Sequence, residues 1–403
     1  MYLKKSFTVV VSFLLFGGLL IGAPLAARGQ KGWVGTWATA PYAAGKNTPP
    51  APYLANNTLR QIVRVSIGGD VLQVKFSNIT GKSDVVLQKV TIATSPDGTK
   101  SEVDPRSIVP LKFAGKYSAT MPAGTRLVSD AVRYKLKAGQ RLAITIYYGA
   151  CESDEQLTHH YGSRTFSYIL EGDHTTNAAF EKAVPVERWY TITGIDVAAR
   201  KSSAVAVLGN SITDGYGLHG GLQNRWTDVF SENLLKNKST RSVAVLNLGI
   251  GGTLVSGSGV QRFDTDVLGQ NGVRWLIIFY GVNDIGNGVS ADKIIDTYNY
   301  LIKKAHAANL KVYGATITPF KGSNYFNDKH EKTRSVVNNW IRTAGNFDAC
   351  LDFDRVIRDP ADSTRLLPAF SNDWLHPNAE GLRALGNSIE LNLFSKLPPV
   401  EFK

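Results

Sequence analysis

Four short polar segments of this sequence carry residue types that catalysts use, and three of them directly follow a hydrophobic run. The segments are Gly209-Asn210-Ser211-Ile212-Thr213-Asp214-Gly215, Asn247-Leu248-Gly249-Ile250-Gly251-Gly252-Thr253, Gly281-Val282-Asn283-Asp284 and Asp373-Trp374-Leu375-His376-Pro377. They offer a hydroxyl nucleophile, N–H groups in glycine-rich turns, a carboxamide donor and an imidazole base with a carboxylate. These are the components of acyl transfer.

Each segment by itself also has an ordinary structural explanation. Ser211 between glycines is as well suited to capping a helix, glycine-rich turns are common, and Asn283 fits a turn. Asp373 lies three residues before His376 and can accept its Nδ1–H, but a metal-ligand pair or a surface turn has the same spacing. The other six histidines form no ligand set around His376, so we expect no metal.

The C-terminal half, residues 201–403, must position these segments, and its pattern alternates hydrophobic runs with helical stretches. The runs cover residues 204–208, 243–248, 275–280, 312–317 and 350–353, and the helical stretches cover 226–236, 291–308, 331–343 and 378–394. This alternation predicts a doubly wound parallel α/β sheet. Ligands of such sheets bind at the carboxyl ends of the strands, where the polar segments fall.

The N-terminal half, residues 30–200, is rich in short alternating runs that end at Gly, Asp, Ser or Pro. The runs cover residues 59–67, 71–76, 85–94, 131–136, 141–148 and 188–197. Gly68-Gly69-Asp70 between the first two predicts a hairpin, and the whole pattern predicts a β-sandwich or jelly roll. The opening Trp33-Val34-Gly35-Thr36-Trp37 is expected beside the second domain or in the linker.

The first 29 residues have the order of a secretory signal. Lys4 and Lys5 precede a hydrophobic run from Phe7 to Ala26, and Ala27-Arg28-Gly29 places small residues where a signal peptidase reads. We expect cleavage after Gly29 or Ala27 and a secreted or periplasmic protein that has no membrane attachment after cleavage. An uncleaved anchor is the alternative, since the run approaches spanning length.

Charge and cysteine content narrow the classes of partner. The net charge is +12, which favours anionic partners such as nucleic acid, envelope polymers or acidic glycans. The 45 Lys and Arg residues are scattered, however, so we expect no nucleic-acid partner. Cys151 and Cys350 either form a disulfide between the two halves or remain as inert, buried thiols.

Taken together, the order and placement of the four segments resemble the SGNH/GDSL hydrolase family over residues 203–394. The resemblance implies a flavodoxin-like catalytic domain, a Ser211 nucleophile, a His376 base and Asp373 as its orienting carboxylate. It also implies oxyanion donors at the Ser211 N–H, the Gly252 N–H and the Asn283 side chain, and no cofactor. The family usually has Asp before the nucleophile, where this chain has Asn210, and we interpret that exchange as tolerated.

The N-terminal half resembles a secreted bacterial branch of the same family, through Trp33-Val34-Gly35-Thr36-Trp37-Ala38-Thr39, Arg60-Gln61 and Asn78. Carbohydrate esterases with a preceding jelly roll are a looser likeness. His159, His160 and Tyr161 can reach the rim of the site, although core or surface positions are favoured for the histidines.

The resemblance implies hydrolysis of an ester substrate, and an extracellular location with a β domain favours short acyl groups on carbohydrate, such as those of an acetylated polysaccharide. A lipid or aryl esterase of lysophospholipase type is the alternative within hydrolases. An acyltransferase and a non-catalytic polysaccharide-binding protein are the alternatives outside them.

Overall fold

A computed structural model describes residues 32–395, so the predicted signal segment lies outside the described residues. The β-rich half of the described chain forms antiparallel sheets from short strands. These strands are β1 (Trp33–Ala38), β2 (Tyr42–Ala43), β3 (Asn57–Arg64), β4 (Gly69–Ser77), β5 (Val85–Thr94), β6 (Val109–Pro110), β7 (Ala119–Met121), β8 (Arg126–Val128), β9 (Val132–Leu136), β10 (Arg141–Tyr148), β11 (Thr158–Tyr161), β12 (Ser167–Glu171), β13 (Val184–Val186), β14 (Arg188–Tyr190) and β15 (Ile192–Ala198).

Two larger sheets and one small sheet make up this half. The first has the order β1-β15-β4-β8 with β9 also on β4, and the second has the order β13-β12-β3-β10-β5-β6 with β7 also on β5. The small sheet is β14-β11-β2. Phe76 of the first sheet and Ile144 of the second are fully buried in one hydrophobic core. Burial of alternate side chains between sheets explains the period of two in the sequence, and the predicted antiparallel β-rich half is confirmed.

The predicted hairpin over residues 59–76 is wrong. Its strands exist as β3 and β4, but they belong to different sheets. The connecting residues cross between sheets: the Val65 N–H donates to Gln140 O at 3.0 Å and the Ser66 N–H to Thr36 O at 2.8 Å. Alternation predicts a strand from local sequence, whereas the pairing partner is selected by long-range packing. The predicted run 188–197 likewise divides, at Thr191 with φ of 60°, into β14 and β15 of different sheets.

The second half alternates strands with helices. The strands are β16 (Ser203–Gly209), β17 (Val243–Gly249), β18 (Val273–Phe279), β19 (Lys311–Ala315) and β20 (Ala349–Leu351). The α-helices are α1 (Ser211–Asp214), α2 (Trp226–Lys236), α3 (Val282–Gly286), α4 (Ala291–Ala307), α5 (Asp328–Arg342), α6 (Phe353–Ile357) and α7 (Ala379–Asn387). Single turns of 3₁₀-helix cover Pro105–Ser107, Pro368–Phe370 and Leu391–Phe394, and π-helical turns cover Val255–Gly259 and Asp264–Leu268.

The strands of this half form one parallel sheet in the order β17-β16-β18-β19-β20. This is the doubly wound, flavodoxin-like order, and it confirms the predicted fold class. The chain leaves β16 toward β17 on one side and later returns to β18 on the other, so the order reverses at β16. A crevice for ligands opens at such a reversal.

Helix ends differ from the predictions where side chains cap them. Helix α5 begins at Asp328 because the Asn327 side chain accepts the His330 N–H at 2.9 Å. The predicted 378–394 helix instead ends as α7 at Asn387, and a 3₁₀ turn follows that buries Phe394. Among the described residues, no helix combines the length and hydrophobicity that crossing a membrane requires.

The two halves share a polar seam along β17, the edge strand of the parallel sheet. The Ser66 hydroxyl donates to Val245 O at 3.0 Å and accepts the Val245 N–H at 3.1 Å, so it satisfies backbone groups of the open edge. The Gly35 N–H of β1 donates to Asn271 O at 2.9 Å. The Trp33 segment thus lies in the antiparallel sheet and contacts the second half from there.

The two cysteines are unpaired in this structure: Cys151 is buried and Cys350 is exposed. Burial, reinforced by nearby Asp154, raises the pKa of the Cys151 thiol to about 12. A thiol with so high a pKa carries little thiolate at neutral pH and is inert. The structure therefore contains an inert, buried Cys151 thiol and no disulfide between the halves, whereas the expectation of burial is wrong for Cys350.

Candidate active site

Ser211 is the first residue of α1, directly after β16, and its side chain lies at the reversal of the strand order. The first N–H groups of a helix have no partner within the helix, and the Ser211 N–H is one of them. The Asn210 side chain accepts the Ile212 N–H at 3.1 Å and caps the turn. Because an Asp at this position would offer the same acceptor oxygen, the exchange to Asn preserves the cap.

His376 and Asp373 come together with Ser211 across 165 residues of sequence. The Ser211 Oγ lies 2.9 Å from the His376 Nε2, and the His376 Nδ1 lies 2.7 Å from the Asp373 Oδ2. A carboxylate only accepts, so Nδ1 carries the proton and the Ser211 hydroxyl donates to the free Nε2. All three predicted residues of the relay are therefore in contact in the order that the sequence predicts.

Local hydrogen bonds hold Asp373 in place beneath the imidazole. Its Oδ1 accepts the backbone N–H groups of His376 at 2.7 Å and Leu375 at 3.0 Å. Partial burial opposes ionisation, but the hydrogen bonds from His376 outweigh it and hold the pKa of Asp373 below its ordinary value. The carboxylate is thus kept ionised, as an orienting partner for an imidazole must be.

The glycine-rich segment after β17 runs alongside the nucleophile. Gly249 packs so closely on α1 that an added Cβ would lie 2.5 Å from the Asp214 N, which explains the glycine. An added Cβ on Gly251 would lie 3.9 Å from the Ser211 Cβ. Gly252 has φ of +74° and open space beside it. The role of its N–H as an oxyanion donor stays a prediction, with the loop in a suitable place.

Asn283 lies in α3, after β18, with its carboxamide held on both sides. Its Nδ2 donates to Thr253 O at 2.9 Å, and its Oδ1 accepts the Tyr325 hydroxyl at 3.3 Å. A carboxamide nitrogen has two hydrogens, so one remains for a ligand. The neighbouring Asp284 is fully buried and accepts the N–H groups of Val255 at 2.9 Å and Ser256 at 3.0 Å. The segment thereby ties the two strand-end loops together.

Two tyrosines of the site were not predicted from the sequence. The Tyr216 ring lies 4.3 Å from the His376 ring, centroid to centroid, and Tyr216 is 47% exposed. Tyr325 orients the Asn283 amide, as described above. The position of Tyr216 directly after the nucleophile segment is a weak signal for it, whereas nothing in the sequence links Tyr325 to Asn283.

The β-rich half also reaches the nucleophile turn. His160 is buried, and its Nε2 lies 2.9 Å from the Oδ1 of Asp214, the last residue of α1. His159 is equally buried and faces Tyr42 and Tyr190 instead, while Tyr161 is 44% exposed. Both histidines are therefore core residues, as favoured, but His160 also contacts the turn that carries Ser211.

No group of three or more His, Cys, Asp or Glu side chains within residues 32–395 is arranged to hold a metal ion.

A serine, a histidine and an aspartate are in contact at the carboxyl edge of a doubly wound sheet, which is the arrangement that the resemblance to SGNH/GDSL hydrolases implies. Residues 207–384 match the model of the GDSL-like lipase/acylhydrolase family. The match covers less than half of the whole chain, and the antiparallel half lies outside it.

Solved structures resemble this chain over somewhat less than half of its length, at low sequence identity. A GDSL-like lipase from Bacteroides thetaiotaomicron VPI-5482 is 21% identical, with 47% of this chain and 86% of that chain covered and a TM-score of 0.36. A member of the lipolytic G-D-S-L family from Veillonella parvula DSM 2008 is 18% identical, with 49% and 100% covered and a TM-score of 0.36.

A catalytic mutant of an acetylxylan esterase from Geobacillus stearothermophilus is 19% identical, with 46% of this chain and 93% of that chain covered and a TM-score of 0.38. No curated protein sequence matched the chain.

Proposed function

We propose that this protein is a serine carboxylic ester hydrolase with Ser211 as nucleophile. The observation that carries the proposal is the continuous hydrogen-bonded chain from the Ser211 Oγ to the His376 Nε2 at 2.9 Å and from the His376 Nδ1 to Asp373 at 2.7 Å. The acylhydrolase family of residues 207–384 supports it. Hydroxyl, base and orienting carboxylate are the parts that activate a serine for acyl transfer.

The reaction has two steps that use the same base. His376 accepts the hydroxyl proton as the Ser211 oxygen bonds to the ester carbonyl carbon, and it then gives that proton to the leaving alcohol as the C–O bond breaks. Water attacks the acyl-enzyme in the second step, with His376 again taking and returning the proton. Asp373 remains ionised throughout and stabilises the imidazolium, in keeping with its lowered pKa.

The negative oxygen of each tetrahedral intermediate needs donors that are already oriented. In the proposed mechanism these are the Ser211 N–H, the Gly252 N–H and the remaining Nδ2 hydrogen of Asn283. Asn283 has little freedom to reorient, because Thr253 and Tyr325 hold its amide from both sides. Such a preformed set favours the transition state without reorganisation during the reaction.

We infer that the substrate is a short acyl ester, such as acetyl, on a carbohydrate. A long-chain lipid needs an extended hydrophobic surface to receive it. The exposed large hydrophobic side chains among the described residues are mainly tyrosines, at positions 53, 117, 161, 216 and 300, with only Val128, Leu222 and Val336 being aliphatic. Tyr216, beside His376, offers a ring with a polar hydroxyl, which suits a sugar better than an acyl tail.

We further propose that the protein acts outside the cytoplasm, secreted or periplasmic, with residues 1–29 as a cleavable signal. The support is the order of Lys4 and Lys5, the hydrophobic run and the small residues that follow it. N-terminal sequencing of the protein recovered from the periplasm or medium tests this. A mature chain that still begins at Met1 would contradict it.

The test of the nucleophile is Ser211→Ala, assayed on p-nitrophenyl acetate with circular dichroism as the check of folding. We expect turnover to fall by a factor on the order of 10⁴–10⁶, as removal of a nucleophile does elsewhere. We also expect a fluorophosphonate probe to label the wild-type protein at Ser211 and to leave the variant unlabelled. A folded Ser211→Ala protein with wild-type turnover would remove Ser211 from this role.

The substrate is tested by comparing p-nitrophenyl esters of increasing chain length with acetylated xylan and pectin. We expect the highest kcat/KM on acetyl and propionyl esters, together with release of acetate from a polysaccharide. A preference for long acyl chains or lysophospholipid would instead support the lipid esterase, and transfer to an added sugar in excess of hydrolysis would support an acyltransferase.

A further inference from the structure

A second histidine–carboxylate pair, His160 with Asp214, lies directly behind the nucleophile turn and joins the two halves of the chain. The His160 Nδ1 lies 2.8 Å from the carbonyl oxygen of Ala40, and its Nε2 lies 2.9 Å from the Asp214 Oδ1. A carbonyl only accepts, so Nδ1 carries a proton. The contact with Asp214 occupies the other ring nitrogen.

The pair is buried on every side, which makes its geometry well defined. His160 is 3% exposed and Asp214 is 5% exposed. The charged group that also faces Asp214 is Arg164, whose Nη2 lies 4.0 Å from the Oδ2. A buried hydrogen bond between an imidazole and a carboxyl group fixes the orientation of both, and loss of one partner leaves the other without its hydrogen bond.

Asp214 is the last residue of α1, and Ser211 is the first. This single turn has few bonds of its own: the Asp214 N–H donates to Asn210 O at 2.9 Å, and the Gly215 and Tyr216 N–H groups both donate to Ser211 O at 2.9 Å. So short a helix is not stable by itself and takes its position from tertiary contacts. A shift of Asp214 therefore moves the Ser211 backbone and the Tyr216 ring that lies on His376.

Arg225 and Arg164 add further contacts between the segment that follows His160 and the same turn. Arg225 donates from its Nε to Asp214 O at 2.8 Å and from its Nη2 to Ser163 O. The Arg164 guanidinium lies 5.6 Å from the centre of the Tyr216 ring. Residues 160–164 of the β-rich half thus contact α1, Arg225 and the Tyr216 ring.

We propose that His160 is a positioning residue for the nucleophile, acting through Asp214, so that the β-rich half is part of the catalytic machinery. The inference rests on the proposed function. Its physical basis is that the Ser211 Oγ must stay within hydrogen-bond reach of His376 and in line with the carbonyl, where a displacement of about 1 Å costs about 10²-fold in rate.

The test compares His160→Asn with His159→Asn in the full chain. Asn keeps a donor at the place of Nδ1, so each variant retains its bond to the backbone carbonyl of Ala40 or Tyr42, but the shorter side chain at position 160 no longer reaches Asp214. His159 is the matched control because it is adjacent on β11 and equally buried, at 2%, and contacts Tyr42 and Tyr190 instead of α1.

Rates are expressed per active site, counted by the fluorophosphonate probe. We expect His160→Asn to lower kcat on p-nitrophenyl acetate by a factor on the order of 10–10² with KM nearly unchanged, and to slow labelling of Ser211 in parallel. His160→Gln, which places a nitrogen near the Nε2 position, should recover part of kcat. His159→Asn should keep wild-type kcat.

If His160 only stabilises the fold, its loss should affect folding and not kcat per active site. The double variant His160→Asn/Asp214→Asn separates this alternative from the positioning role. Removal of the unpaired buried charge should restore folding in that protein. The proposal is supported if the double variant folds but its kcat stays lowered. It is overturned if the double variant has wild-type kcat, or if His159→Asn loses as much kcat as His160→Asn.

The proposed function is tested separately by the wild-type protein. A wild-type protein that neither hydrolyses esters nor labels at Ser211 contradicts the proposed function. An active wild-type protein together with an unaffected His160→Asn variant contradicts only the positioning role.

Discussion

Two histidine–aspartate pairs of the described residues contact the turn that carries Ser211, and they differ in which ring nitrogen remains available. In the His376 pair, the Nδ1 contacts Asp373 and the Nε2 faces the Ser211 hydroxyl. In the His160 pair, the Nδ1 is taken by the Ala40 carbonyl and the Nε2 by Asp214. Only the first imidazole has a nitrogen that can accept and release a proton during a reaction.

The two pairs also differ in how far their side chains are exposed to solvent. The Asp373 and His376 side chains are 44% and 12% exposed, whereas the His160 and Asp214 side chains are 3% and 6% exposed. A base must meet the substrate and water, while a support gains rigidity from burial. A histidine–aspartate pair by itself is therefore not sufficient for acid–base chemistry, which also needs a free ring nitrogen directed at a reacting hydroxyl.

The largest expected effect in this comparison comes from Asp373→Asn. The variant keeps the size of the side chain but removes the charge and favours the wrong imidazole tautomer, and we expect kcat to fall by a factor on the order of 10⁴. The assay is p-nitrophenyl acetate hydrolysis. Glu380→Gln, an exposed acid on the following helix, is the control and should stay within about twofold of wild type. Comparable rates for both variants would mean that Asp373 does not orient the base.

Asn283→Ala tests whether an available amide hydrogen matters in the same way as an available ring nitrogen. Asn283 has one Nδ2 hydrogen bonded to Thr253 O and another available, so we expect its loss to lower kcat by a factor on the order of 10²–10³ with little change in KM. Asn287, whose Nδ2 donates to Asn283 O at 2.7 Å, provides the control. Asn287→Ala should have a much smaller effect on kcat, and a loss as large as that of Asn283→Ala would point to the backbone of α3 instead of the amide.

The smallest expected effect is on stability. The pKa of Asp373 is lower in the folded protein than its ordinary value, so its contribution is present above about pH 4 and is lost as pH falls through the lower folded value. Because the side chain is nearly half exposed, we expect this contribution to remain below about 1 kcal/mol. Urea unfolding of wild type and Asp373→Asn should show a difference at pH 5 that shrinks below pH 4. A difference that grows on acidification would contradict this sign.

Most of the second half follows from local sequence. Hydrophobic runs that are buried on both faces predicted the parallel strands, and the rule for strand ends was sufficient to place Ser211, Asn283 and the glycine segment together. The contact between Asp373 and His376 is also local, because the two residues are three positions apart. Helix ends were less accurate, because caps such as Asn327 depend on single side chains.

The β-rich half was predictable as strands but not as a topology. The sequence of β3 and β4 predicts a hairpin around Gly68-Gly69-Asp70, yet these strands pair with strands of different sheets. A turn sequence predicts that the chain reverses, but it does not predict which sheet the next strand joins. For the same reason the sequence does not predict the contact between His160 and Asp214, which lie 54 residues apart.

The sequence by itself determined Ser211, His376 and Asp373 as the candidates for nucleophile, base and orienting carboxylate, because each of these follows from residue type together with local geometry or the end of a predicted strand. Only the tertiary structure decided which histidine has a free nitrogen, which tyrosines contact His376 and Asn283, and how the β-rich half supports α1. Those features depend on contacts between distant segments, and such contacts are selected by the packing of the whole molecule.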